Sequence, residues 1–131
     1  MVAIVLAAFF TKLGWDEYQQ NRAAEQVPNV QAIFHKVRQM PGAEAAGETA
    51  ISVNEYATAL WQSYKANIKW ADLRPHFDSE ASRQSFELSN EYESYGGPIV
   101  EYRNGEFEIR VLCRPNDAGY SFSVNWYGLD R

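Results

Sequence analysis

The sequence predicts an α+β domain: a long N-terminal helix, a second amphipathic helix, and a three-stranded antiparallel sheet at the C-terminus. Three observations carry that expectation. Residues 1–10 are wholly apolar and run into a segment with helical spacing. Residues 53–68 place Val53, Tyr56, Ala57, Leu60, Trp61, Tyr64 and Ile68 on one helical face. Two alternating runs flank Asn104-Gly105, and a third follows from Tyr120 to Trp126.

The first helix is expected to span nearly 40 residues, of which 1–26 form an apolar half and 27–131 a globular head. Val2, Ile4, Val5, Leu6, Phe9, Phe10 and Leu13 make the leading stretch greasy all round. Ten residues of helix rise about 15 Å, short of a hydrocarbon core about 30 Å thick. Lys12 and Trp15 suit the headgroup region. Farther on, Val27, Val30, Ile33, Phe34 and Val37 share a face and are expected to pack the helix onto the head. Pro28 is expected to kink this helix, and Pro41-Gly42 to end it.

Residues 42–51 read as a small-residue loop. Ser52 and Glu55 have capping-box spacing for a second helix ending near Trp70. Pro75 is expected to break the next stretch, with a short helix capped at Asp78 or Ser79 and polar loop as far as Tyr95. Asn104-Gly105 suits the two positive-φ positions of a type I′ turn. That register sets Tyr102 against Phe107, Val100 against Ile109 and Arg103 against Glu106. It also sets Glu101 against Glu108, an unfavourable pair with Arg103 and Arg110 on the diagonals. In the last strand Tyr120, Phe122, Val124 and Trp126 alternate with Ser121, Ser123 and Asn125.

Composition limits the function classes. Of 131 residues, 46% are hydrophobic and 22% charged, ordinary for a globular domain, while aromatics at 15% are abundant. A net charge of −5 without a basic stripe argues against a nucleic-acid partner. Catalytic, cofactor and metal sites are all expected to be lacking. His35 and His76 are the only imidazoles and have no metal-ligand spacing. Cys113 is a lone cysteine, read as a small buried hydrophobe. Asp72, Asp78, Glu80, Glu87, Glu91 and Glu93 form an acidic stretch without Ca²⁺-loop spacing, read as a solvated face.

The apolar run of residues 1–10, followed by Tyr18-Gln19-Gln20-Asn21-Arg22, resembles the start of the type IV pilin and type II secretion pseudopilin family. Ser94-Tyr95-Gly96-Gly97-Pro98 before Val100-Glu101-Tyr102 is similar to the family's turn into its sheet. The basic leader and the Phe-Thr-Leu-Ile-Glu start of that family have no counterpart here, and a single cysteine precludes its C-terminal disulfide. The resemblance implies a non-enzymatic filament subunit with a transmembrane helix. It would wait in the inner membrane and then join other copies or related subunits in a periplasmic or extracellular filament. An alternative from another class is a protein-binding module of inhibitor or immunity type, soluble or tethered, using the aromatic sheet and acidic loops.

Overall fold

A computed structural model describes residues 22–115 and 118–128. The expected leading-helix residues Val2, Ile4, Val5, Leu6, Phe9, Phe10 and Leu13 lie outside that range. Within it the chain runs α1 (Val27–Lys36), β1 (Glu44–Val53), β2 (Ala57–Lys65), α2 (Trp70–Arg83), β3 (Glu87–Ser94), β4 (Gly97–Asn104), β5 (Phe107–Arg114) and β6 (Gly119–Tyr127). The strands form one antiparallel sheet in the order β1-β2-β6-β5-β4-β3. Both helices pack on the same face.

This corrects the expected fold class. Among the described residues the first helical stretch is bent at Gln26 and ends at Lys36, rather than running unbroken to Pro41-Gly42. Pro28 explains the bend. It lacks the N–H that would bond back to residue 24, so the helical stretch from residue 22 bends at Gln26 and resumes as α1 with the proline in its first turn. Among the described residues no helix is long and apolar enough to cross a membrane. The expectation of a transmembrane helix, and of pilin architecture with it, is overturned in that range. The sheet has six strands, not three.

The expected second helix is strand instead. Residues 53–65 fit a helical period, but Thr58, Leu60, Gln62 and Tyr64 also alternate with Ala57, Ala59, Trp61 and Ser63, the period of a strand. Tertiary pairing decides between the two readings. Leu60 faces Val124 and Tyr64 faces Tyr120 on β6, and the two tyrosine rings stack at 5.2 Å. Ser52 and Glu55 form no capping box; the Asn54 side chain accepts from the Tyr56 and Ala57 amides at 2.9 Å and shapes the β1–β2 turn. Residues 42–51, expected as loop, supply most of β1. This edge strand bulges between Ala46 and Ala50, where Gly47 takes φ +84°. Buried Gln62 fastens the bulge by donating to the Gly47 carbonyl and accepting from the Thr49 hydroxyl.

The helix α2 begins where the second helix was expected to end and runs through Pro75 without breaking. Leu73, Phe77 and Ala81 recur at four-residue spacing and are all buried, and this apolar stripe outweighs the one helical bond that proline forgoes. Its C-terminus closes with the Phe86 amide on the Ala81 carbonyl and the Ser85 amide on the Ser82 carbonyl, the paired bonds of a Schellman motif. Ser85 occupies the left-handed position at φ +66°. Residues 87–94, expected as polar loop, pair with β4 as the second edge strand.

The core lies between the helices and the sheet. Phe122 is fully buried and is touched from both sides, by Phe34 of α1 at 5.2 Å and by Phe77 of α2 at 5.7 Å. The helices also clasp one another. Glu80 accepts from the Arg38 amide at 2.6 Å and from Arg83, while Arg83 donates to the Lys36 carbonyl at the frayed end of α1.

Two predictions follow from these junctions. Ser85→Gly removes left-handed strain and is expected to raise stability by about 1 kcal/mol, seen as a higher urea midpoint at unchanged slope. The hydrogen bond from Arg83, helped by the Arg38 amide, holds the Glu80 pKa below its usual value. Its contribution is therefore complete above the ordinary carboxylate range and fades as pH falls through the lowered value. Urea titrations of Glu80→Gln and the parent should diverge most near neutrality and converge in acid.

Candidate functional site

Alternation along each strand sorts the sheet's side chains onto two faces. The face away from the helices carries rows that cross the strands. One row reads Trp61, Ser123, Arg110, Glu101 and Asn90 from β2 to β3. The next reads Ala59, Asn125, Glu108, Arg103 and Glu87. Tyr92, Ile99, Leu112, Ser121 and Ser63 form a third.

The β4–β5 register creates the charged centre. The two-residue loop is Gly105-Glu106, closed by Asn104 opposite Phe107, one step along from the expected Asn104-Gly105 turn. Gly105 takes φ +60°, the sign that a type II′ turn requires at its first central position. The step keeps Val100, Tyr102, Phe107 and Ile109 on the core face but changes every partner. Glu101 now opposes Arg110 and Arg103 opposes Glu108, so the expected Glu101–Glu108 clash is replaced by two opposite-charge pairs.

Arg110 donates through Nε to Glu101 at 2.7 Å, and its Nη2 lies 3.3 Å from Glu108. Arg103 stands 3.8 Å from Glu108 and lies over the Tyr127 ring. Glu108 is 1% exposed and also accepts from Tyr127 and Asn125. Burial works against the Arg110 charge, yet Glu108 and Glu101 outweigh it and push its pKa up. The centre is thus charged but internally balanced, with its carboxylates committed to structural contacts.

Around this centre the face is hollow. An open depression of about 850 Å³ runs over Asn90, Tyr92, Glu101, Arg103 and Arg110. A smaller one of about 260 Å³ continues from Arg110 across Ser121 and Ser123 to Trp61. Trp61, 40% exposed, lines the smaller hollow, and Tyr92, 38% exposed, lines the larger. The second hollow exists because β6 points serines outward between Trp61 on β2 and Leu112 on β5.

The residues singled out from the sequence lie elsewhere. Val30, Phe34 and Val37 are buried under α1 with Ile33 packed beside them, and Val27 is half-buried. His35 is exposed with its ring edge on Phe34, and the His76 Nε2–H donates to the Arg38 carbonyl at 2.7 Å. Cys113 is buried on the core face, and burial pushes its thiol pKa up. Of the acidic stretch, Asp78 and Glu91 pair with Arg74, and Asp78 also accepts from the Tyr102 hydroxyl. Among the described residues no group of His, Cys, Asp or Glu could hold a metal ion.

Trp61, Leu112, Arg110 and Arg114 were not singled out together because residues 53–68 read as helix, which assigns Trp61 to a different face. The available signal was the outward set of the strand period: serines on β6, large side chains on β5, and Trp61 among the small residues of β2.

Comparison with protein-family models, curated proteins and solved structures finds no match.

Removal of Arg110 leaves buried Glu101 without its cation and Glu108 with Arg103 alone of its two arginines. Arg110→Ala is expected to lower unfolding free energy by about 2–3 kcal/mol, below the figure for a fully buried pair because Arg110 retains some solvent. Chemical denaturation checks this, and a loss under 0.5 kcal/mol would show the centre to be wet and weak.

Proposed function

We propose that this chain is a non-enzymatic binding module that docks a partner protein on the helix-free face of its sheet. One observation carries the reading. Trp61 and Tyr92 stand exposed in two hollows that meet at Arg110, beside a charged yet self-neutralised centre, on a face that no described element covers. Trp, Tyr and Arg are the side chains that most often anchor protein interfaces, especially around a centre from which water is easily expelled. The hollow is wide and shallow, which suits a protein surface better than an enclosed small molecule. Its arginines and glutamates are held by one another, so docking need not leave a lone charge buried.

The filament-subunit reading depended on a long apolar helix and a three-stranded head. With that architecture corrected, the alternative that relies on the sheet is the better supported.

The test places a photo-crosslinking phenylalanine derivative at Trp61 or Tyr92, and at Asp72 or Ser79 on the exposed side of α2 as controls. A discrete adduct in native extract from the first pair alone is expected. Trp61→Ala should then weaken the purified partner by about 30-fold, the scale of an interface anchor. Equal labelling from α2 would overturn the reading.

A further inference from the structure

The hollow over β6 has a chemical polarity of its own. At one end Gly119 has no side chain, and its neighbours in the same row are Lys65 on β2 and Arg114 on β5. Two cations therefore share the row across Gly119, on strands about 9–10 Å apart, and Arg114 lines the hollow itself. Neither forms an ion pair among the described residues, although Glu44 is level with Lys65 on β1. All the other arginines between residues 74 and 110 are paired. Two and four residues along β6 the floor becomes Ser121 and Ser123, and the walls become Leu112 and Trp61. The cationic end thus lies about 7–13 Å from the apolar slot, the distance between residues two to four apart in an extended chain.

Resting on the docking face just described, we infer that this groove receives an extended acidic segment of the partner protein. One carboxylate sits between Lys65 and Arg114, and an apolar side chain two residues away fills the slot between Trp61 and Leu112. The serine hydroxyls floor the groove with small polar groups and leave room for that side chain. Arg114 gains the charge-assisted bonds that its neighbours already make. The net charge of −5 opposes such a ligand at long range, but a Debye length of about 10 Å at 0.1 M salt leaves the local pair in control.

The probe is the peptide acetyl-Glu-Ser-Phe-amide, with acetyl-Gln-Ser-Phe-amide as its uncharged twin, titrated into the ¹⁵N-labelled full chain to about 10 mM, where millimolar binding registers. Shifts are expected at Lys65, Arg114, Ser121, Ser123 and the Trp61 indole. The Glu peptide should bind about tenfold more tightly than the Gln peptide, and the double variant Lys65→Ala, Arg114→Ala should erase that difference. Raising salt should weaken only the charged peptide. Equal affinity of the two peptides, shifts elsewhere on the surface, or no shift would overturn the inference. If the photo-crosslinked partner binds the double variant with unchanged affinity, the acidic segment is refuted and the docking face stands. If Trp61 and Tyr92 give no specific adduct, the docking face falls with it.

Discussion

The architecture depends on a one-sided cover. Two short helices of 10 and 14 residues close over a single face of a six-stranded sheet, and both rest on Phe122. Neither helix is long enough to persist alone. Each is held by the other through Glu80, Arg83 and the chain at 36–38, and by aromatic contact with β6. Since every strand alternates, covering one face leaves the opposite set of side chains uncovered by any described element. The position of the helices therefore fixes which face is left for the proposed docking surface.

That exposed set would be a liability if it were greasy and flat. The central strands answer with charge, and register determines whether the charge helps. A slip of one residue in each strand preserves the core face while exchanging partners across the ladder. The observed register opposes Glu101 to Arg110 and Arg103 to Glu108, so four charges that would clash in part become two pairs. The turn adapts to this pairing. Asn-Gly alone favours a loop at 104–105, but Gly105 supplies its positive φ equally well as the first residue of a 105–106 loop. Cross-strand electrostatics and the glycine's freedom together outweigh the preference of one dipeptide.

The same logic shows what could be read in the chain and what could not. The alternation of Tyr120, Phe122, Val124 and Trp126 is unambiguous, and those residues form the buried side of β6. Segments 44–53, 57–65 and 87–94 were hidden for different reasons. The edge strands β1 and β3 are exposed on nearly every residue, so hydrophobic periodicity has nothing to record there. The strand β2 satisfies both periods, and only its partners β1 and β6 separate them. In α2, Pro75 looks like a stop until the spacing of Leu73, Phe77 and Ala81 is set against it. The proposed docking face was the least visible part, because Trp61, Arg110, Leu112 and Arg114 come from two strands, and one of those strands read as a helix.

The strand β6 carries two tasks that its alternation keeps apart. Its inward residues are large and aromatic and contact both helices. Its outward residues are Ser121, Ser123 and Asn125, and the shortness of the two serines is what opens a groove between Trp61 and Leu112. Enlarging a serine would fill the groove while leaving Phe122 and Val124 in place, since successive side chains point to opposite faces. Stability is held on one side of this strand and the proposed recognition on the other. A surface arranged in this way can change its ligand by small outward substitutions without disturbing the aromatic contacts that hold the helices down.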